Sequence, residues 1–130
     1  VDDPTNRDPA HRRNRVRHEV LPLLDAVAQR DVAGVLARQA ELVREAVDHL
    51  RAEAAAIDPT DAAAVAAAPP ALARIALRTW IASETGQEHP VDAAAVDRAL
   101  AVARGDSPRA DLLGGWRIAR TAGRLRVERA

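Results

Sequence analysis

Cysteine, lysine, phenylalanine, tyrosine and methionine are all missing from this 130-residue chain, and each absence closes off a kind of chemistry. Without cysteine there are no disulfides and no thiolate metal sites, which fits a reducing, cytoplasmic setting. Without Phe and Tyr, Trp80 and Trp116 are the only large aromatics, so the stacking platform used by many single-strand binders is not expected. No run of about 18 apolar residues and no signal-peptide pattern occurs, so the chain reads as soluble, with no membrane partner. Nineteen basic residues balance nineteen acidic ones, and the net charge names no partner. Because every basic residue is arginine, in a composition also rich in alanine, each arginine carries less information than usual. A guanidinium still offers a planar fork that grips phosphate or carboxylate bidentately. The chain opens inside a turn-rich motif with no initiator methionine, which suggests a piece of a longer protein.

What is present is mainly helical. Asp8 and Pro9 have the chemistry of an N-cap and first helical position, predicting a helix from about Pro9 to Leu21. Pro22 should kink or restart it, with Leu23, Leu24 and Val27 carrying the apolar face to about Ala28. A longer helix from Asp31 to about Ile57 places Val32, Val35, Leu36, Gln39/Ala40, Val43, Val47, Leu50, Ala54 and Ile57 at helical spacing. Thr60 or Asp61 caps a short Ala-rich helix to about Ala67. Another helix runs from Pro70 to Glu84, burying Leu72, Ile75, Ala76, Trp80 and Ile81, with Gly86 as a left-handed cap. Pro90 opens the last helix, which carries Val96, Leu100 and Val102 and ends at Gly105. The tail "GWRIARTAGRLRVER" changes period. Trp116 and Ile118 alternate with Arg117 and Ala119, and Leu125 and Val127 with Arg124, Arg126 and Glu128, predicting a β-hairpin around Ala122-Gly123. The fold class is a bundle of four to six helices with a short C-terminal hairpin.

The first helix concentrates arginine. At about 100° per residue, Arg17 lies about 40° and Val20 about 20° from Arg13, so both arginines flank the apolar stripe while Arg15 and Glu19 point away. Two explanations fit: the pair snorkels to solvent over the end of a small core, or it reaches an anionic site completed by another part of the protein. In the tail, Arg104, Arg109, Arg117, Arg120, Arg124, Arg126 and Arg129 stand against only Asp106, Asp111 and Glu128, a patch suited to tracking phosphates or to a solvated ribbon face. Arg74 and Arg78 read as surface residues. His11, His18, His49 and His89 show no metal spacing, and no metal site is expected.

The segment "DPTN……RNRVRHEVLPLL" resembles the junction in tRNA(Ile)-lysidine synthetases where the catalytic domain ends and a connecting helix begins. Asp3, Pro4, Thr5, Asn6, Asp8, Arg13, Asn14, Val16, Arg17, Leu21, Pro22 and Leu24 carry the match. The ending "LLGGWRIARTAGRLRVER" is similar to the C-terminal region of actinobacterial members, although a proline usual before the two glycines is Leu113 here. The resemblance implies an enzyme that uses ATP, with Mg, to activate the wobble cytidine of tRNA(Ile) and attaches free lysine to it. The phosphate-binding Ser-Gly-Gly-x-Asp-Ser signature is absent from these residues, so the fragment alone is expected to hold no cofactor or catalytic group. Residues 1–28 would then be the end of the catalytic domain and its connector, and 29–130 a helical tRNA-binding domain. Arg12, Arg13, Asn14 and Arg17 would face substrate, and Arg117, Arg120, Arg124 and Arg126 would contact tRNA phosphates; a homodimer is compatible with this arrangement. The rival reading is a non-catalytic helical protein-interaction module whose arginines serve solubility.

Overall fold

Helix α1, Pro9–Arg15, is the first element of the computed structural model, which describes residues 9–86 and 91–130. The expected N-cap Asp8, the Asp3–Asn6 turn and Pro90 lie outside those residues. A π turn, Val16–Val20, carries α1 directly into α2, Leu21–Ala28. Leu21 N–H donates to the Val16 carbonyl, five residues back. Pro22 has no N–H to give to His18, and its ring crowds that carbonyl; a widened turn just ahead lets the helix pass the proline without stopping. The break expected at Pro22 therefore takes the form of a π bulge.

Helix α2 ends at Gln29 in the left-handed region, φ 51°. Two carboxylates start α3, Val32–Ala54: Asp25 accepts from Val32 N–H at 2.8 Å and Asp31 from Gly34 N–H at 2.8 Å. The chain divides into two compact units, with the boundary inside α3 between Glu45 and Ala46. Among described residues of the first unit whose burial is defined, none is buried. Val16, Val20 and Leu24 are 48%, 43% and 39% exposed, and Leu36 and Val43 more so. The apolar period of α3 is present, yet only Ala54 along it is buried; Val32, Val35, Val47 and Leu50 are half-buried, and Leu36 and Val43 are exposed.

The second unit holds the core. Asp61 accepts from the N–H groups of Ala63 and Ala64 and so starts α4, Ala62–Ala67, as its sequence position suggested. Pro69-Pro70 forces the break before α5, Pro70–Thr85, and Gly86 closes α5 at φ 59°. Helix α6, Ala93–Arg104, is capped by Asp92 and ended by Gly105 at φ 90°. The face that α5 buries is formed by Ala73, Ala76, Leu77 and Ile81, whereas Leu72, Ile75 and Trp80 are only half-buried. Helix α6 buries Ala95, Val96, Ala99, Leu100, Val102 and Ala103 and packs against α4, α5 and the sheet. Its small alanines let neighbours approach closely, so a core without buried aromatics still closes.

Three strands follow, one more than the expected hairpin: β1 Arg109–Leu112, β2 Trp116–Thr121 and β3 Arg124–Arg129, antiparallel in the order β1-β2-β3. Ala110, Ile118 and Val127 align across the inner face, and Leu112, Ile118 and Leu125 are buried in the core. The open edge of β3 is partly covered by the loop before α4, where Leu125 N–H donates to Thr60 O at 2.8 Å and Ala62 N–H to Gly123 O at 3.0 Å. Asp58 ties that loop down, accepting from Thr60 Oγ1 at 2.7 Å, Thr60 N–H at 2.9 Å and Arg124 Nη1 at 3.2 Å.

Two outcomes test this arrangement. The β2–β3 turn holds both Ala122 (φ 49°) and Gly123 (φ 78°) left-handed, the two-residue geometry that favours Asn-Gly. Ala122→Asn should relieve about 1 kcal/mol of strain and raise the thermal midpoint by about 4 °C. The hydrogen bonds from the Thr60 hydroxyl and backbone, aided by Arg124, hold the Asp58 carboxyl below its ordinary value of 3.8. A depressed carboxyl stabilises the fold above its unfolded pKa and loses that contribution as pH falls through the folded value. Asp58→Asn should therefore melt earlier than the native chain at pH 7, and the gap in melting temperature should shrink below about pH 3.8.

Candidate nucleic-acid interface

Strand alternation decides which arginines share a surface. On the face of the sheet turned away from the core, Arg109, Ala119 and Arg126 form one row across the three strands, and Asp111, Arg117 and Glu128 the next. Arg124 stands opposite Thr121 at the end of the same face. Ala119 separates Arg109 from Arg126 in that row; both arginines are exposed, and neither guanidinium bonds another described residue. Arg117 Nε donates to Asp111 Oδ1 at 3.0 Å, and Arg124 is the arginine paired with Asp58.

The other tail arginines have different work. Arg120 lies on the inner face, where Nη1 donates to the Ala103 carbonyl at 3.0 Å and so caps the C-terminus of α6, the end where a cation is favoured. Gly105 makes room for it: a Cβ there would sit 2.9 Å from Arg120 Nη1. Arg129 stacks over Trp116, 4.1 Å from the ring centroid, and donates to Gly114 O at 3.1 Å. Of the four tail arginines singled out in the sequence, the structure thus brings Arg117, Arg124 and Arg126 together and turns Arg120 away.

Beside this face an open depression of about 750 Å³ lies between α6 and β1, lined in part by Arg98, Ser107, Arg109, Asp111 and Arg117. Arg98 Nε donates to the Asp111 carbonyl at 3.2 Å. Sequence reasoning placed Arg109 in the basic tail but did not single out Arg98, whose position beside it depends on β1, a four-residue strand too short to show a period. A separate groove of about 480 Å³, lined mainly by apolar groups with Trp80, Ile57 and Arg51, lies between the end of α3 and α5. Arg74 is occupied with Asp97 at 2.8 Å, and Arg78 is exposed.

In the first unit, Arg12, Arg13, Asn14 and Arg17 are exposed on α1 and the π turn. Arg15 forks onto Glu19 at 3.2 and 3.1 Å, whereas Arg13 and Arg17 bond no other described residue. The π turn closes a wider loop than an α turn, so the regular wheel drawn from the sequence loses its phase between Arg13 and Arg17. Among the described residues no three His, Asp or Glu side chains gather where a metal could bind, and no helix is long and apolar enough to cross a membrane.

A helical domain is thus closed by a small sheet that presents several guanidinium groups and few carboxylates on one face. The profile described as the TilS substrate binding domain matches residues 61–126, just over half of the chain, and the chain belongs to that family. It is 40% identical over 139 residues to a tRNA(Ile)-lysidine synthase of Thermobifida fusca, covering 96% of this chain and 42% of the relative. The like-named protein of Nocardia farcinica is 38% identical over 143 residues, covering 98% of the chain and 44% of the relative. That of Streptomyces coelicolor is 44% identical over 85 residues, 59% of the chain and 24% of the relative. The chain thus spans less than half the length of these curated relatives.

The two tail positions separate by experiment. Arg120→Ala should lower stability by about 1.5 kcal/mol through the lost charged hydrogen bond. Arg126→Ala should leave the thermal midpoint unchanged, both measured by thermal melting under the same conditions.

Proposed function

We propose that this chain is the tRNA-binding part of a tRNA(Ile)-lysidine synthetase, the ligase that uses ATP to attach lysine to the wobble cytidine of tRNA(Ile) in the cytoplasm. The observation that carries the reading is the face bearing Arg109, Arg117, Arg124 and Arg126 within a domain of the substrate-binding family. Guanidinium groups on a twisted sheet meet phosphodiester oxygens with charge-assisted bonds and read no sequence, so they position the RNA rather than identify it. Residues 29–130 form the tRNA-binding domain in this reading, and 1–28 connect it to the part that holds ATP, Mg and lysine. Arg13, Asn14 and Arg17, with Arg12 beside them, face the substrate in that cleft. The exposure of Arg13 and Arg17, neither of which bonds another described residue, supports this, as does the exposed apolar strip of Val16, Val20 and Leu24.

The same strip favours a second reading, a protein-interaction module in which the helices of the first unit dock on a partner or on a second copy. Two measurements decide. Binding of tRNA by this chain should fall with salt, with a log–log slope of about −2 to −3 if three or four arginines meet phosphates; salt-insensitive or absent binding favours the module. In the intact ligase, Arg13→Ala or Arg17→Ala should cut lysidine formation at least about tenfold, the scale of one lost charge-assisted bond, with an unchanged circular dichroism spectrum. Full activity in both variants would return the two arginines to a snorkelling role.

A further inference from the structure

The depression between α6 and β1 has a wiring that the RNA-binding reading does not require. Three arginines from three elements line it, Arg98 from α6, Arg109 from β1 and Arg117 from β2, with Asp111 as the carboxylate among them. Arg117 is held by that carboxylate through Nε at 3.0 Å, and its side chain is 28% exposed, against 77% for Asp111. Arg98 is held by the backbone of the same residue through Nε, and the Arg109 guanidinium bonds no other described residue. One exposed side chain therefore stands where an incoming anion would stand. A surface pair of this kind is weak and readily exchanged, while a phosphate offers more oxygens to the same guanidinium groups and satisfies them bidentately.

We propose that this depression is a clamp for one backbone phosphate of the RNA, and that the Asp111 carboxylate is an internal stand-in that orients Arg117 in the free chain and is displaced on binding. The proposal rests on the RNA-binding reading and deepens it. It assigns Arg98 and Arg109 a direct part and gives Asp111 an opposing sign: the carboxylate prearranges the site and competes for it. The depression is open enough to admit a phosphate with its ribose attached.

The test is a mutant cycle on this chain with a tRNA transcript, by filter binding at several salt concentrations. Asp111→Asn should tighten binding by up to about fivefold, the upper end of what one exposed ion pair contributes, because Arg117 no longer has to leave that carboxylate to meet the phosphate. Arg109→Ala and Arg98→Ala should each weaken binding several-fold and flatten the salt slope by about one. In an Arg117→Ala background, the gain from Asp111→Asn should shrink to less than about twofold, since the two residues act through one contact. A gain of equal size with or without Arg117 would mean a general charge effect and overturn the clamp, as would an Asp111→Asn variant that binds no better than the native chain. Inorganic phosphate at about 20 mM should compete no better than chloride at equal ionic strength; strong competition would make the depression a free-anion site and overturn the assignment to RNA backbone. Native protein that binds no tRNA at all would remove the RNA reading itself, a result distinguishable from loss of the clamp, in which tRNA binding and its salt dependence persist while the cycle shows no coupling.

Discussion

Burial of α6 is the contact on which the second unit depends. Its alanines and valines meet α4 and α5 on one side and the sheet on the other, with Val96, Ala99 and Val102 fully enclosed. In a core without buried aromatics, close approach has to replace bulk, and alanine at the contacts permits it. The helix also organises polar chemistry: Arg120 caps its C-terminus from the sheet, and Arg98 reaches from its exposed side to β1. The inner face of the sheet is pinned by α6, and the alternation of strands then presents the remaining arginines on the opposite face.

The two units differ in how they use apolar residues. The second encloses them; the first, among its described residues, leaves Val16, Val20, Leu24, Leu36 and Val43 open. Exposed stripes at helical spacing over three helices are costly in water and mark a surface meant to be covered. Arg13, Arg17 and the strip of Val16, Val20 and Leu24 lie along one continuous run of helix, α1 through the π turn into α2, so a surface that docked the strip would also fix the direction of both arginines.

Much of this was legible from one-dimensional patterns. Asp61, Gly86 and Gly105 mark helix ends because caps are local hydrogen bonds and local dihedrals, and the structure places them as read. The hairpin was legible because period-two alternation and a two-residue turn are also local. The faces of α5 were less so: Ala73 and Leu77 are buried while Leu72 and Trp80, expected to be, are half-buried, since the buried face is set by where α4 and α6 pack on α5 and not by which of its residues are largest. The π turn escaped because a wheel assumes one pitch throughout, whereas Pro22 changes the pitch of the turn before it.

The sequence by itself determined the helices, their caps, the arginine-only basic chemistry and the turn that folds β2 onto β3, because each of these is settled by neighbours within a few residues. Only the tertiary structure decided that Arg120 belongs to the core side and Arg98 to the basic depression, and that β1 exists at all. Those outcomes depend on contacts spanning 17 and 13 residues for the two arginines and four to ten for the β1–β2 pairs, and no local preference sets which guanidinium meets which carbonyl across the longer gaps; the packing of α6 against the sheet does.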